Sequence, residues 1–316
     1  MPTVDTVRGP VDTAELGNVL MHEHVFVLGP ELQENFPGYR GEWDEDARVA
    51  DAAAKLRECA SRGIRTIVDP TVIGLGRYIP RIQRVNEQAD INIIVATGIY
   101  TYNDVPFQFH YSKTDAMARL FVGDIRDGIA GTGVRAAFLK CAIEAAGLTP
   151  GVERVMRAVG QAAAETGRPV TVHTSSETES GLVAQKVLAQ EGVDLTRVVI
   201  GHAGDSTDLD YLAKLADAGS YLGMDRFGLD VILPTEKRVE VIAELVRRGY
   251  AERIVLSHDA ACYIDWFSEA SRARTSPNWN FTHISDDVLP ALRARGVTDE
   301  QIAAMLVANP RRYFEG

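Results

Sequence analysis

The sequence predicts an α/β protein, folded over residues 1–316 as one (β/α)8 TIM barrel. Three observations carry that expectation. Short apolar runs rich in Val and Ile alternate eight times with amphipathic stretches, as buried parallel strands and their crossover helices do. No linker or low-complexity segment interrupts the alternation. The first run ends in Met21-His22-Glu23-His24, not in the Gly-rich turn that the main rival, a doubly wound sheet, places after its first strand.

The elements follow in order. Strands are expected at Val19–Val27, Arg65–Pro70, Asn92–Tyr100, Val134–Ala142, Pro169–Thr174, Arg197–Ala203, Tyr221–Arg226 and Arg253–His258. Within Asp46–Ser61, Val49, Ala53, Leu56 and Ala60 recur at helical spacing. Val239, Ile242 and Val246 do the same in Thr235–Arg248, and Gly249 is a natural stop. Thr298-Asp299-Glu300-Gln301 reads as a capping box opening the last helix.

Chemistry in such barrels sits at the C-terminal strand ends, and the reactive residues fall there. His22 and His24 end strand one, and alternation points them the same way while turning Glu23 aside into a supporting role. Lys140 ends strand four, His173 strand five and His202 strand six, and Asp259 follows strand eight. Taken singly, each has a bland reading: a bonded structural histidine, a surface lysine, a helix-capping aspartate. Their joint placement on one rim favours metal binding. His110, His258 and His283 are read as structural, and alternation must turn either His258 or Asp259 away from the axis. Four imidazoles and one carboxylate exceed the three protein ligands of a usual catalytic zinc site and suit two metals sharing a bridge. Zinc is the first expectation, with iron, cobalt and manganese as alternatives. A cationic Lys140 beside divalent ions is unfavourable, so the residue must be deprotonated or converted to an anion.

Composition narrows the class. The chain is 46% hydrophobic and 24% charged, with net charge −11. That charge argues against nucleic acid or an anionic membrane surface as partner. No apolar run approaches the ~20 residues of a membrane span, and Met1-Pro2-Thr3-Val4-Asp5 has no signal-peptide character. Three scattered cysteines, Cys59, Cys141 and Cys262, make no disulfide framework. A reducing cytoplasm is the expected setting.

The ordered set His22-x-His24, Lys140, His173, His202 and Asp259 resembles the amidohydrolase superfamily and, more narrowly, the phosphotriesterase family. Thr6-Val7-Arg8-Gly9-Pro10, Gly201-His202-Ala203-Gly204-Asp205, Gly223-Met224-Asp225-Arg226-Phe227-Gly228, Ser257-His258-Asp259 and Asn309-Pro310-Arg311-Arg312-Tyr313-Phe314 extend the likeness over essentially the whole chain. Thr97-Gly98-Ile99-Tyr100-Thr101-Tyr102 and Val72-Ile73-Gly74-Leu75-Gly76-Arg77 are similar to the phosphotriesterase-like lactonases within that family.

The resemblance implies one metal held by His22, His24 and Asp259, another by His173 and His202, and a carboxylated Lys140 bridging them with a hydroxide. It implies attack of that hydroxide on a lactone carbonyl, with N-acyl homoserine lactones (quorum quenching) the expected substrates and organophosphate triesters a side activity. Tyr100 is expected to assist the carbonyl oxygen, and Asp259 to carry the proton to the leaving alkoxide. Arg226 is expected either to orient substrate or Tyr100, or to form a rim salt bridge. Trp266, with Phe267, Trp279 and Phe281 after strand eight and Tyr102, Phe107 and Phe109 after strand three, is expected to line a groove for an acyl tail, the alternative for any one of them being to anchor its loop or a dimer contact. A homodimer is also implied. The rival readings are a dedicated organophosphate phosphotriesterase and a metal-free binding protein on the same barrel.

Overall fold

In the computed structural model, which describes residues 1–36, 39, 43–112 and 115–316, the eight expected strands form one parallel sheet. They are β1 (Asn18–Leu20), β2 (Ile64–Asp69), β3 (Asn92–Gly98), β4 (Phe138–Ile143), β5 (Val170–Thr174), β6 (Val198–Gly201), β7 (Tyr221–Met224) and β8 (Ile254–Leu256). Each pairs in parallel with the next from β1 to β8. The ring closes where Met21 N–H donates to the Leu256 carbonyl at 3.2 Å.

Two apolar layers follow from strand alternation. Val19, Met21, Val68, Ile94, Ala96, Phe138, Val199, Tyr221 and Val255 fill the barrel, and Tyr313 and Phe314 of the last helix pack among them. The other strand faces meet the surrounding helices in a larger core. Lys140 stands two residues after Phe138, and His173 two after Thr171, whose hydroxyl pairs with the Tyr313 hydroxyl inside the barrel. The inward register of the core therefore delivers both residues to the barrel mouth.

The expected helices form as Glu45–Ser61 and Thr235–Arg247, and the Thr298–Gln301 capping box opens helix Asp299–Ala303. Strand one differs from expectation. It is not continuous from Val19 to Val27 but breaks at Met21–Glu23 and resumes as His24–Val27, which pairs with Ala261–Ile264 outside the ring. The break has a cause: His22 N–H turns to the Ser257 hydroxyl on the β8 side, while Glu23 N–H turns to the Val68 carbonyl of β2. Strand four starts later than Val134 because Ala136 N–H is taken by the Asp124 carbonyl. Among the described residues no helix is long and apolar enough to cross a membrane. All three cysteines are free and buried.

Candidate active site

The strand ends bring the expected residues to one cavity of about 310 Å³, lined by His22, His24, Tyr100, Lys140, His173, Arg226, Asp259 and Trp266 among others. His202 lies just beneath, fully buried, with its Nε2 2.8 Å from His173 Nδ1. Two of these residues sit in strained backbone. Among the described residues four non-glycines have positive φ, and His202 (+63°) and Asp259 (+53°) are two of them. Such strain persists where the surrounding structure over-determines it. Gly98 opens the wall beside Lys140, since a Cβ there would lie 1.9 Å from the Lys140 carbonyl oxygen.

Each of the four imidazoles is anchored at its rear nitrogen. Asp225 accepts from His22 Nδ1 through one oxygen and from His202 Nδ1 through the other, both at 2.9 Å. It also accepts the His202 backbone N–H at 2.8 Å. The Thr71 hydroxyl donates to Asp69, so its oxygen accepts from His24 Nδ1 at 2.6 Å. Glu144 faces His173 Nε2 at 2.9 Å. With those protons committed, the bare nitrogens are His22 Nε2, His24 Nε2, His202 Nε2 and His173 Nδ1, and they converge. Rear hydrogen bonds of this kind fix the tautomer of metal-ligating histidines.

The donor set fits metal ions. His22 Nε2 and His24 Nε2 lie 3.4 and 3.3 Å from Asp259 Oδ1. Ligands about 2.0–2.1 Å from a tetrahedral ion sit roughly 3.3 Å apart. His22, His24 and Asp259 thus form a group that could hold an ion. His173 Nδ1 and His202 Nε2 approach each other at 2.8 Å, and Lys140 Nζ lies 3.3 Å from His22 Nε2.

Electrostatics make the same demand. Burial pushes the Lys140 ammonium down to about 8, against the pull of Asp259 and Asp225. Burial alone would raise the Asp259 carboxyl, but His22, His202, His24 and Arg226 outweigh it and hold it well below the usual carboxylate range. Burial likewise opposes charge on His24, yet Asp259 and Asp69 lift its imidazole from 6.5 to about 9. The nest therefore takes up a positive charge, which a proton supplies when no ion does.

The sign of the pH effect follows. Protonated His24 stabilises the metal-free protein below its unfolded value near 6.5, and this is lost as pH rises through about 9. An ion must displace that proton, so affinity for zinc rises with pH across the same window. Adding zinc to metal-free protein at pH 7.5 should release at least one proton per chain, read with a pH indicator. Zinc uptake without proton release would contradict this.

Arg226 lines the cavity and forms two salt bridges there. Its Nε donates to Asp259 Oδ2 at 3.1 Å and its Nη1 to Asp205 Oδ2 at 2.9 Å. The Tyr100 hydroxyl donates instead to Glu144 at 2.7 Å and lies 3.3 Å from His173 Nδ1. Burial, then Glu144, raise the Tyr100 pKa, so the phenol stays protonated and available as a donor. Asp259 faces the cavity, and its neighbour His258 is turned away from it, fully buried against Glu23.

The aromatic groove is narrower than expected. Trp266, Phe267 and Trp279 line the cavity, but Phe281 is core, Tyr102 and Phe109 pack on the core, and Phe107 is exposed and stacked on Tyr111. Leu229, Val231 and Ile232, after β7, complete the apolar wall. Nothing in their sequence marks them, since three aliphatics past a strand read as ordinary loop packing. Asp225, Glu144 and Thr71 also escaped sequence reasoning. Only Asp225 carried a trace, as part of the Gly223–Gly228 motif.

A parallel (β/α)8 barrel with a buried His–Asp nest at its C-terminal mouth is a barrel of the amidohydrolase type. The comparisons narrow this further. The model of the phosphotriesterase family matches residues 2–314, and the chain belongs to that family. It is 57% identical over 322 residues to a phosphotriesterase homology protein of Mycobacterium tuberculosis, covering 100% of this chain and 98% of that one. It is 39% identical over 309 residues to an aryldialkylphosphatase of Saccharolobus solfataricus, covering 97% and 98%. The solved structure of the phosphotriesterase from Mycobacterium tuberculosis superposes with a TM-score of 0.97 at 56% identity, covering 99% of this chain and 98% of that chain.

Proposed function

We propose that this phosphotriesterase-family hydrolase is a metal-dependent lactonase acting on N-acyl homoserine lactones, with organophosphate triester hydrolysis as a side activity. The observation that carries the reading is the amphiphilic cavity. Its floor is the His–Asp–Lys nest, and its wall is Leu229, Val231, Ile232, Trp266 and Phe267. Val231 is 68% exposed and Ile232 50%, apolar surface open to a flexible chain. A polar head over the nest and an acyl tail along that wall satisfy both parts.

His22, His24 and Asp259 would hold one divalent ion, and His173 and His202 a second. Lys140 would stand between them as a carbamate. Its amine, neutral in part because burial lowers it to about 8, forms an N–C bond to carbon dioxide and loses a proton, leaving an anion where a cation would be repelled. When bound, the two ions supply Lewis acidity and a water made nucleophilic near neutral pH. Asp259 takes the proton of the attacking water and delivers it to the leaving alkoxide. Arg226 keeps that carboxylate aimed through the 3.1 Å bond to Oδ2. Tyr100 redirects its hydroxyl from Glu144 to the substrate oxygen as negative charge develops there. Zinc is the proposed metal, and the proposed state is a cytoplasmic homodimer.

A dedicated phosphotriesterase is the second reading, favoured by the name of the Saccharolobus relative. A series of homoserine lactones of increasing acyl length tests the first. Each methylene buried on the wall should raise kcat/KM about fourfold until the wall is covered. A flat dependence on chain length would remove the acyl-lactone reading.

A further inference from the structure

Asp259 occupies a left-handed backbone position that, glycine aside, mainly Asn and Asp tolerate. Its φ of +53° lies in the left-handed region, where a Cβ crowds the following carbonyl. A residue there must be fixed by its surroundings. The Glu23 carboxylate, fully buried, spans the turn. Its Oε1 accepts from the Ser257 hydroxyl at 2.8 Å, from His258 N–H at 2.9 Å and from His258 Nδ1 at 2.6 Å. Its Oε2 accepts from Ala260 N–H at 3.0 Å. Asp259 N–H itself donates to the His22 carbonyl at 3.0 Å. Both neighbours of Asp259 are thus tied to the side chain seated between His22 and His24.

The contacts continue to the cavity. His258 Nε2 accepts from Ile284 N–H at 2.9 Å. A backbone N–H can only donate, so the His258 proton sits on Nδ1, facing Glu23. The His258 carbonyl, which belongs to the peptide entering Asp259, accepts from Trp279 Nε1 at 2.9 Å. The Trp279 indole lines the cavity and lies 4.8 Å beneath the Arg272 guanidinium. Arg272 Nη2 donates to the Trp279 carbonyl at 2.9 Å. The indole therefore touches the substrate cavity and the peptide of Asp259 at once.

We propose that Glu23, His258 and Trp279 are positioning residues that hold Asp259 in its left-handed conformation and tie its aim to the apolar wall of the cavity. The inference rests on the proton-carrying role proposed above for Asp259. It assigns a function to the loop tryptophan beyond packing against an acyl tail.

The test measures kcat and KM of the metal-loaded full chain and of its Trp279→Phe variant, on paraoxon and on a long-acyl homoserine lactone. Phenylalanine keeps an aromatic wall and removes the N–H. Positioning lowers kcat about tenfold on both substrates, with bound metal unchanged. If the indole only packs, KM rises for the long-acyl lactone and kcat on paraoxon stays within about twofold of the parent; that result overturns the proposal. Glu23→Gln is the second arm, since its amide presents N–H to a site that offers only donors. In folded, metal-loaded Glu23→Gln protein kcat should fall on both substrates at similar KM, and an unchanged kcat counts against the proposal. Parent protein that hydrolyses paraoxon but no lactone would refute the substrate reading alone, and the paraoxon comparison would still decide this one.

Discussion

Asp259→Asn should lower kcat of the metal-replete protein by about three orders of magnitude. Asp259 meets three demands that an amide cannot. Its Oδ1 faces the bare nitrogens of His22 and His24 at 3.4 and 3.3 Å as an anionic ligand. Its Oδ2 carries the charge that pairs with Arg226 at 3.1 Å. Its carboxyl is held well below the usual carboxylate range, so it is ionised at working pH and keeps an open oxygen for the proton that the attacking water must give up. Asparagine is neutral and cannot accept that proton, and one of its two terminal atoms must present N–H groups where only acceptors or a cation are welcome. The measurement is steady-state kinetics on lactone with metal content determined on the same sample. Activity within about tenfold of the parent at equal metal content would show that another group moves the proton.

The second large effect belongs to Asp225, which in the proposed centre stands behind the imidazoles. Asp225→Asn should weaken zinc binding at both subsites, by about 100-fold or more in total. The carboxylate accepts three N–H groups, His22 Nδ1, His202 Nδ1 and the His202 backbone, at 2.8–2.9 Å. An amide retains one acceptor oxygen, so one ring loses its anchor and is free to move its proton to the nitrogen that should face the ion. In the proposed centre His22 would serve one subsite and His202 the other, so a single substitution should loosen both. Competition with a zinc chelator reads this directly. An unchanged affinity would mean that packing alone aims the imidazoles.

The converging histidines and Lys140 were legible in the sequence for a physical reason. Parallel strands buried on both faces are near-continuous apolar runs, so a histidine or lysine closing one stands out, and two-residue alternation carries Lys140 and His173 onto the inward face set by Phe138 and Thr171. The closing Asp259 could be assigned through the family likeness because Ser257-His258-Asp259 is a recognisable run. What stayed hidden depends on long-range approach. Asp225 reads as one more acid past a strand, and its role exists only because β7 lies beside β6 while His22, 203 residues away in sequence, crosses the mouth. Alternation turns Glu23 aside, but no pattern says that it grips Ser257, His258 and Ala260 across the closure between β1 and β8. The break in strand one was invisible for the same reason, since its cause is a hydroxyl on Ser257. The cavity wall from Leu229 to Ile232 could not be told from loop packing, and Phe107 and Phe281 show the converse: aromatics near the site in sequence that the fold sends elsewhere.

The most direct measurement compares kcat/KM on a long-acyl homoserine lactone with kcat/KM on paraoxon, using one preparation of zinc-replete protein. A cavity built for a polar head and an acyl tail should favour the lactone by about 100-fold or more. A preference for paraoxon, or comparable values for the two, would contradict the lactonase assignment and favour a dedicated phosphotriesterase.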